Sequence, residues 1–284
     1  MTTKALVLAG GGLTGIAWEL GVIAGMADDG LDLNDADLIV GTSAGATVAA
    51  QITTGSLDAL VGAQLAADSQ ELAAVLDLDL LAKIFTLLSD PSASGDERRA
   101  QVGTMALGAD TVAEPVRRAV IAARLPSHQW PARPIVLTAV DAHSGELTTF
   151  DASSGVPLVD AVAASCAVPG VWPPVTIGDR RYIDGGVRSG TNADLASGHD
   201  RVLVLTPMQA TMALRLEDEA AGLRDHGSTV QVVTADDDAL ASFGDNPLDP
   251  SRRGPALEAG RRQGALAASG VRALWEGGEA VGGT

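Results

Sequence analysis

The segment Gly41-Thr42-Ser43-Ala44-Gly45 most constrains how this chain folds, because it joins an apolar run to a run of small residues. The apolar run Leu38-Ile39-Val40 is typical of a buried strand, and Ala46 to Ala50 favours a helix. A G-x-S-x-G sequence between a strand and a helix is the pattern of a nucleophile elbow, a tight turn that exposes a serine hydroxyl at a helix N-terminus. Gly41 and Gly45 allow the two elements to approach closely. The segment therefore predicts acyl-transfer chemistry with Ser43 as the nucleophile.

A second glycine-rich segment, Gly10-Gly11-Gly12-Leu13-Thr14-Gly15, follows the apolar run Leu6-Val7-Leu8. It matches G-x-G-x-x-G, the pattern of a dinucleotide-binding turn, which also requires an acidic residue at the end of the second strand. That strand ends in Val40-Gly41-Thr42-Ser43, so nicotinamide or flavin binding is disfavoured. The same backbone geometry suits an oxyanion hole, because N–H groups at a helix N-terminus can face a developing negative charge.

A third segment, Asp184-Gly185-Gly186, follows the apolar pair Tyr182-Ile183. One interpretation is a plain Asp-Gly turn, which is common. The other is a functional carboxylate at a strand end, beside a backbone that can approach a ligand closely. Three such segments occur in one chain, each at a predicted strand end, and those ends gather along one crevice of an open α/β sheet.

A nucleophilic serine needs a base, and the default base is a histidine supported by a carboxylate. The four histidines, His128, His143, His199 and His226, lie in loop or turn sequences that single none of them out. The order Ser43, Asp184 and then His199 or His226 would match an α/β-hydrolase triad. That fold normally places several strands before its elbow, whereas only one strand is predicted before this one.

Strand and helix patterns alternate along the chain and predict an α/β fold of three layers, with a mainly parallel central sheet and helices on both faces. The further predicted strands are 135–140, 147–150, 182–183, 201–205 and 229–233, and the further predicted helices are 158–166, 212–224 and 255–275. Residues 57–125 predict several helices around the loop 90–95, which form a candidate lid. We expect a catalytic core over 4–205, with 206–284 packing on it as the same domain or an extension.

Composition excludes several classes of function. The net charge of −17 disfavours nucleic acid or a strongly anionic membrane surface as a partner. Cys166 is the only cysteine, so no disulfide or cysteine-based zinc site is expected. The apolar N-terminal run is interrupted by glycines and then Glu19, which favours a buried strand over a signal peptide. We expect a cytoplasmic protein whose oligomeric state is open.

Together the three segments resemble the patatin-like phospholipase family, whose signatures are a glycine-rich oxyanion loop, G-x-S-x-G and a D-G-[AG] turn. Ala164-Ser165-Cys166-Ala167-Val168-Pro169 is similar to the family's A-S-x-A-x-P segment. The resemblance extends from about residue 4 to about residue 194.

This resemblance implies a Ser-Asp dyad in which Ser43 is the nucleophile and Asp184 the base. It places the oxyanion hole at the backbone N–H groups of Gly11 and Gly12, aided by Gly10. The supporting glycines of the three motifs are Gly15, Gly41, Gly45, Gly185 and Gly186. No metal and no cofactor are implied. Thr14 stands where the family usually has arginine or lysine, so we expect lower turnover or weaker preference for phosphate-bearing substrates.

The expected function is a serine acyl hydrolase of lipid esters, of phospholipase A or lysophospholipase type. An acyltransferase using the same dyad and a catalytically silent lipid-binding protein are the alternatives. The expected partner is a lipid or other acyl ester, with at most transient membrane contact. Arg252, Arg253, Arg261 and Arg262 could share a helix face and meet a lipid phosphate, but a solvated helix is the favoured interpretation.

Overall fold

The computed structural model describes residues 2–66, 70–74, 78–208 and 215–277. Within these ranges, strands and helices alternate around a sheet of eight strands. The strands are Lys4–Leu8 (β1), Leu38–Gly41 (β2), Ile135–Asp141 (β3), Leu147–Phe150 (β4), Val175–Ile177 (β5), Arg180–Asp184 (β6), Arg201–Thr206 (β7) and Thr229–Thr234 (β8). The α-helices are Gly12–Asp28 (α1), Ala44–Thr54 (α2), Leu57–Leu65 (α3), Leu78–Leu88 (α4), Gly95–Leu107 (α5), Glu114–Arg124 (α6), Leu158–Ser165 (α7), Leu216–Asp225 (α8), Asp237–Phe243 (α9) and Arg253–Arg272 (α10).

The sheet has the strand order β5-β6-β3-β2-β1-β7-β8, and β4 also pairs with β3. The pairs β1–β2, β1–β7, β2–β3 and β7–β8 are parallel. The pairs β3–β4, β3–β6 and β5–β6 are antiparallel. These pairings confirm the predicted mainly parallel sheet.

Both faces of the sheet are covered by helices. Leu6 and Leu8 of β1 belong to one buried cluster with residues of α1, α2 and α10. Val7, between them in sequence, belongs to a second cluster with Val204 of β7 and Leu223 of α8. Since alternate residues of a strand face opposite sides of a sheet, β1 is buried on both sides. A third cluster joins α4 and α5 to the ends of β3 and β6.

The predicted elements are mostly confirmed, with three differences. Strand β5 is not among the predicted strands. It pairs with β6 across Gly178 and Asp179, and a Gly-Asp pair between apolar runs is a hairpin signal. The helix predicted over 212–224 begins at Leu216, and residues 209–214 lie outside the described residues. The final helix begins two residues before Pro255, after a 3₁₀ turn at Pro250–Arg252. Parts of the candidate lid, 67–69 and 75–77, also lie outside the described residues.

Helix α10 packs directly on α1 through glycines of both helices. A Cβ atom on Gly25 would lie 2.1 Å from the carbonyl oxygen of Arg261, and one on Gly264 would lie 2.2 Å from that of Val22. The two helix backbones therefore touch without intervening side chains. Trp18 of α1 is fully buried, and its Nε1 donates to Oε1 of Gln263 at 3.0 Å. This contact fixes α1, whose N-terminus carries the glycine-rich loop.

We expect Gly264→Ala to lower the free energy of unfolding by about 1–3 kcal/mol, because the added methyl group forces the two backbones apart. Gly222→Ala, in the middle of α8, is the matched control, since a Cβ there meets no atom within 4 Å. In a helix interior, alanine is more stable than glycine by up to about 1 kcal/mol of free energy, so the control should be neutral or stabilising. Urea unfolding of both variants checks this, and equal changes in the two would contradict close helix packing.

Candidate active site

Ser43 lies in the turn between β2 and α2, with φ 55° and ψ −111°. Positive φ is unusual for a residue other than glycine, so the surrounding structure has to hold this conformation. The backbone N–H of Ser43 donates to Oγ of Ser165 at 2.9 Å, and Sγ of Cys166 donates to the Ser43 carbonyl oxygen at 3.1 Å. The end of α7 thus braces the turn from the side.

Two glycines let the helix after Ser43 pack against the sheet. A Cβ atom on Gly45 would lie 2.0 Å from the carbonyl oxygen of Leu8, and one on Gly41 would lie 2.7 Å from Cα of Ala46. The N–H of Gly45 also donates to the carbonyl oxygen of Ala9 at 2.9 Å. The start of α2 is therefore fixed on the end of β1.

Asp184 ends β6, and sheet register brings it towards Ser43. Gly41 pairs with Leu137 and Asp184 pairs with Ala139, so β2 and β6 end two residues apart along β3. Oδ1 of Asp184 accepts a hydrogen bond from the Gly186 N–H at 2.7 Å. Oδ2 is buried and has no hydrogen bond of standard geometry from any residue in the described ranges.

The environment of Asp184 makes its carboxylate more basic than usual. Burial raises the pKa of Asp184 to about 6, and this outweighs the lowering by the Ser43 hydroxyl and by the Gly186 N–H. The interaction with Ser43 is looser than a standard hydrogen bond, since Oδ2 has no partner at such geometry. Catalytic hydrogen bonds are often long without substrate. Ser43 and Asp184 are 8% and 4% exposed, so the pair lies largely out of water.

The loop from Gly10 to Gly12 lies beside Ser43, since a Cβ on Gly10 would be 3.5 Å from Cβ of Ser43. The Gly10 N–H donates to the Gly190 carbonyl oxygen at 2.9 Å, so it is not free for another acceptor. Gly11 is the N-cap of α1 and Gly12 has φ +67°. Among the described residues, the N–H groups of these two glycines have no acceptor. A helix N-terminus with free N–H groups favours an anion.

Asn192 is a residue that the sequence analysis missed. It is fully buried in the left-handed conformation, with φ 50° and ψ 38°. Its Nδ2 lies within hydrogen-bonding distance of Oγ1 of Thr42 at 3.0 Å, the carbonyl oxygen of Ser189 at 2.9 Å and that of Gly185 at 3.3 Å. One amide therefore connects the serine turn to the Asp184 turn. Asparagine tolerates this conformation, but no motif in the sequence marks its role.

A cleft of about 320 Å³ of free space opens beside Ser43. Its apolar lining comes from α1 and from two loops: Leu13, Ile16, Val168, Trp172 and Leu248. Arg117, Arg124 and Cys166 complete it.

None of the four histidines, all in described parts of the chain, lines this cleft. His128 and His226 are exposed, and each ring is hydrogen-bonded to a backbone carbonyl oxygen nearby in sequence. His199 is bonded in the same way to Ala196, and His143 lies exposed in the turn between β3 and β4. The structure does not bring the alternative bases, His199 and His226, to Ser43.

The arginines of the C-terminal helix do not form a common anion site. Arg253 is buried and donates to the carbonyl oxygens of Ala63 and Ala66, and Arg261 pairs with Asp28. Arg262 pairs with Asp236, and Arg252 contacts the turn at Gly244.

In the part of the chain that is described, no group of three or more His, Cys, Asp or Glu side chains is arranged to hold a metal ion. Over the same residues, no helix has the length and apolar character needed to cross a bilayer.

Known proteins were compared with this chain by sequence and by structure. A sequence comparison with curated proteins finds no match. Among solved structures, VipD from Legionella pneumophila is similar at 12% identity and a TM-score of 0.48, over 95% of this chain and 67% of that chain. The type III effector ExoU is similar at 14% identity and a TM-score of 0.41, over 95% of this chain and 53% of that chain. ExoU in its heterodimeric complex with SpcU from Pseudomonas aeruginosa is similar at 17% identity and a TM-score of 0.42, over 93% of this chain and 51% of that chain. The chain thus spans about two thirds of VipD and about half of ExoU.

The sequence profile described as "Patatin-like phospholipase" matches residues 6–197, a range that includes the serine turn, the glycine-rich loop and the Asp184 turn. It covers more than half of the chain and confirms the resemblance that the three motifs predict. The chain belongs to the patatin-like phospholipase family.

Proposed function

We propose that this protein is a serine hydrolase of lipid acyl esters, of phospholipase A or lysophospholipase type, with Ser43 as nucleophile and Asp184 as base. Membership of the patatin-like phospholipase family supports lipid hydrolysis in general. The observation that carries the dyad is the buried Asp184 carboxylate, which interacts with the Ser43 hydroxyl and has one oxygen without a standard hydrogen bond. A cytoplasmic location stays part of this proposal.

In the proposed reaction, Oγ of Ser43 attacks the ester carbonyl carbon while its proton moves to Oδ2 of Asp184. The carbonyl oxygen becomes an oxyanion, and the N–H groups of Gly11 and Gly12 stabilise it. Collapse of this intermediate breaks the bond to the alcohol, which takes the proton from Asp184 and leaves an acyl-enzyme. A water molecule then gives a proton to Asp184, attacks the acyl group and releases the acid as Ser43 regains its proton.

The raised pKa of Asp184 favours this role. An aspartate at its ordinary pKa of about 3.9 is a weak base for a serine hydroxyl, whereas general-base catalysis improves as the pKa approaches the working pH. Burial raises the pKa of Asp184 to about 6. The carboxylate is then still ionised at neutral pH and is a stronger base.

We expect Ser43→Ala and Asp184→Asn each to lower ester hydrolysis by at least about 1,000-fold, because each removes one half of the dyad. Acyl release from a panel of phospholipid, lysophospholipid and glyceride esters measures this. A fluorophosphonate probe should label the wild type and not Ser43→Ala. Release or labelling that survives Ser43→Ala would refute the nucleophile, and a wild type without either would favour a silent lipid-binding protein.

The matched control replaces all four histidines with glutamine in one variant. None of them lines the cleft, so this variant should keep most of the hydrolysis. Loss of activity in a folded histidine-free protein, together with activity in Asp184→Asn, would assign the base to a histidine. Transfer of the acyl group to an added alcohol in preference to water would favour the acyltransferase alternative.

The pH dependence of hydrolysis should follow Asp184. The carboxylate must be ionised to accept the Ser43 proton, so kcat/KM should fall as pH drops through about 6 and level off above it. A soluble neutral ester is the substrate of choice, because its own charge does not change over this range. A profile without an inflection within about one unit of that value would exclude Asp184 as the titrating base.

Asn192→Ala should lower kcat by about 10- to 100-fold with little change in KM, because the serine and aspartate turns lose their common hydrogen-bond donor. Asn192→Asp, which fits the same backbone conformation without the donor, should not restore kcat. Asn34→Ala is the control, since Asn34 also donates its amide to a buried carbonyl, that of Ile52, far from the cleft. Equal losses in the Asn34 and Asn192 variants would indicate a merely structural role.

A further inference from the structure

Arg117, in the first turn of α6, is a buried cation that forms no ion pair with any described residue. Glu71 interacts with its charge only from beyond ion-pair distance and is itself paired with Arg124. Arg117 is only 5% exposed to solvent. Nε and Nη1 are shielded from solvent and make no hydrogen bond with any residue that the structure describes. The guanidinium lies over the ring of Trp172, with Cζ 3.7 Å from the ring centroid. This stacking stabilises one face of the cation, while its Nε and Nη1 remain without acceptors among the described residues.

Two other arginines of the same helix are each paired with a carboxylate, which is the usual arrangement for arginine. Arg124 donates to both carboxylate oxygens of Glu71 at 2.7 and 2.6 Å. Arg118 pairs with Asp160 at the surface. A buried charge without a partner is strongly unfavourable, and arginine does not escape this by losing its proton. An anion that binds at Arg117 would remove this deficit.

The position of Arg117 points to the substrate as the source of that anion. Arg117 and Ser43 line the same cleft, together with the apolar side chains of Leu13, Ile16 and Leu248. An ester held at Ser43 therefore extends over an apolar surface towards a fixed cation. The glycine-rich loop, which lines the same cleft through Gly12 and Leu13, contributes no cation, since its only polar side chain is Thr14.

Arg117 keeps its charge under ordinary conditions. Burial and, to a smaller extent, Arg124 lower the pKa of Arg117 to about 10, while Cys166 and Glu71 act in the opposite direction. This pKa is still well above neutral pH. The protein as a whole carries a net charge of −17, so its overall field repels anions. Recognition of an anion thus depends on this local site rather than on the general charge of the surface.

We propose that Arg117, supported by Trp172, is a specificity-determining residue that binds a phosphate or carboxylate group of the ester cleaved at Ser43. This inference rests on the proposed ester hydrolysis and narrows it from esters in general to esters with an anionic group near the scissile bond. The fork of guanidinium N–H groups matches the paired oxygens of either group. A phosphate would belong to the alcohol part of the substrate, and a carboxylate to the acyl part.

Two pairs of short, soluble esters test this preference. The first pair is monooctanoylglycerol and the same molecule with a phosphate on its glycerol. The second pair is p-nitrophenyl hexanoate and p-nitrophenyl hemiadipate, in which a terminal carboxylate replaces the terminal methyl group. In the wild type, kcat/KM should favour the anionic member of at least one pair. Arg117→Gln should reduce that anionic-to-neutral ratio by about 10- to 100-fold, as expected for a lost charge-assisted hydrogen bond.

Matched variants distinguish a loss of preference for anionic esters from a general loss of activity. Arg118→Gln changes the net charge equally at the next position of α6, and it should leave the ratio unchanged. Arg117→Lys keeps the charge without the planar fork, so its ratio should be intermediate. The pair of esters that loses its preference identifies the group as phosphate or carboxylate. A ratio unaffected by Arg117→Gln in both pairs would overturn the proposal.

A binding experiment makes the test independent of catalysis. In calorimetry, Ser43→Ala should bind the anionic member of at least one ester pair at least about 10-fold more tightly than the neutral member, and Ser43→Ala with Arg117→Gln should lose this difference. Failure of the wild type to cleave any ester would refute the proposed function, while this measurement would still decide the anion site. Equal affinities of Ser43→Ala for the phosphate, hemiadipate and neutral esters would refute the anion site, whatever the activity.

Discussion

The backbone conformation of Ser43 is the constraint on which the candidate site depends. At φ 55° it helps to direct the chain from β2 into α2 within two residues. The structure holds this conformation with hydrogen bonds to the end of α7 and with the close contact of Gly45 on Leu8. Each of these supports comes from a different part of the chain. The turn is therefore stable only in the complete sheet, and assembly of the sheet also places the glycine-rich loop and Asp184 beside it.

The fold could be predicted from the sequence to a large extent, because it depends on local patterns. Apolar runs ended by glycine give β1 and β2, and the motif order places Ser43, Asp184 and Gly10 to Gly12 at strand ends. The short strand β5 was missed because three residues carry little periodic signal. The antiparallel pairing of β6 with β3, which carries Asp184 towards the serine turn, depends on long-range register that no local pattern encodes.

The candidate site was less predictable in its polar details. The sequence suggested the N–H of Gly10 as an oxyanion donor. In the structure this N–H donates to the carbonyl oxygen of Gly190, so Gly11 and Gly12 remain as the candidate oxyanion donors. Asn192 connects two turns from a position without a motif. Arg117 belongs to no motif in the sequence, yet it is buried against Trp172. Such contacts join residues distant in sequence, so they follow from the packing of whole elements.

Buried ionisable groups differ in how the unfavourable transfer of their charge from water can be relieved. Glu19 is fully buried in α1, and burial raises its pKa well above the usual range, so the protonated form relieves the charge. Burial also raises the pKa of Asp184, to about 6. Its carboxylate therefore exchanges a proton readily near neutral pH. Arginine has no such neutral form in this range. The unfavourable burial of Arg117 is therefore relieved only by a partner, and its place in the Ser43 cleft makes the ester substrate the partner best positioned to supply one.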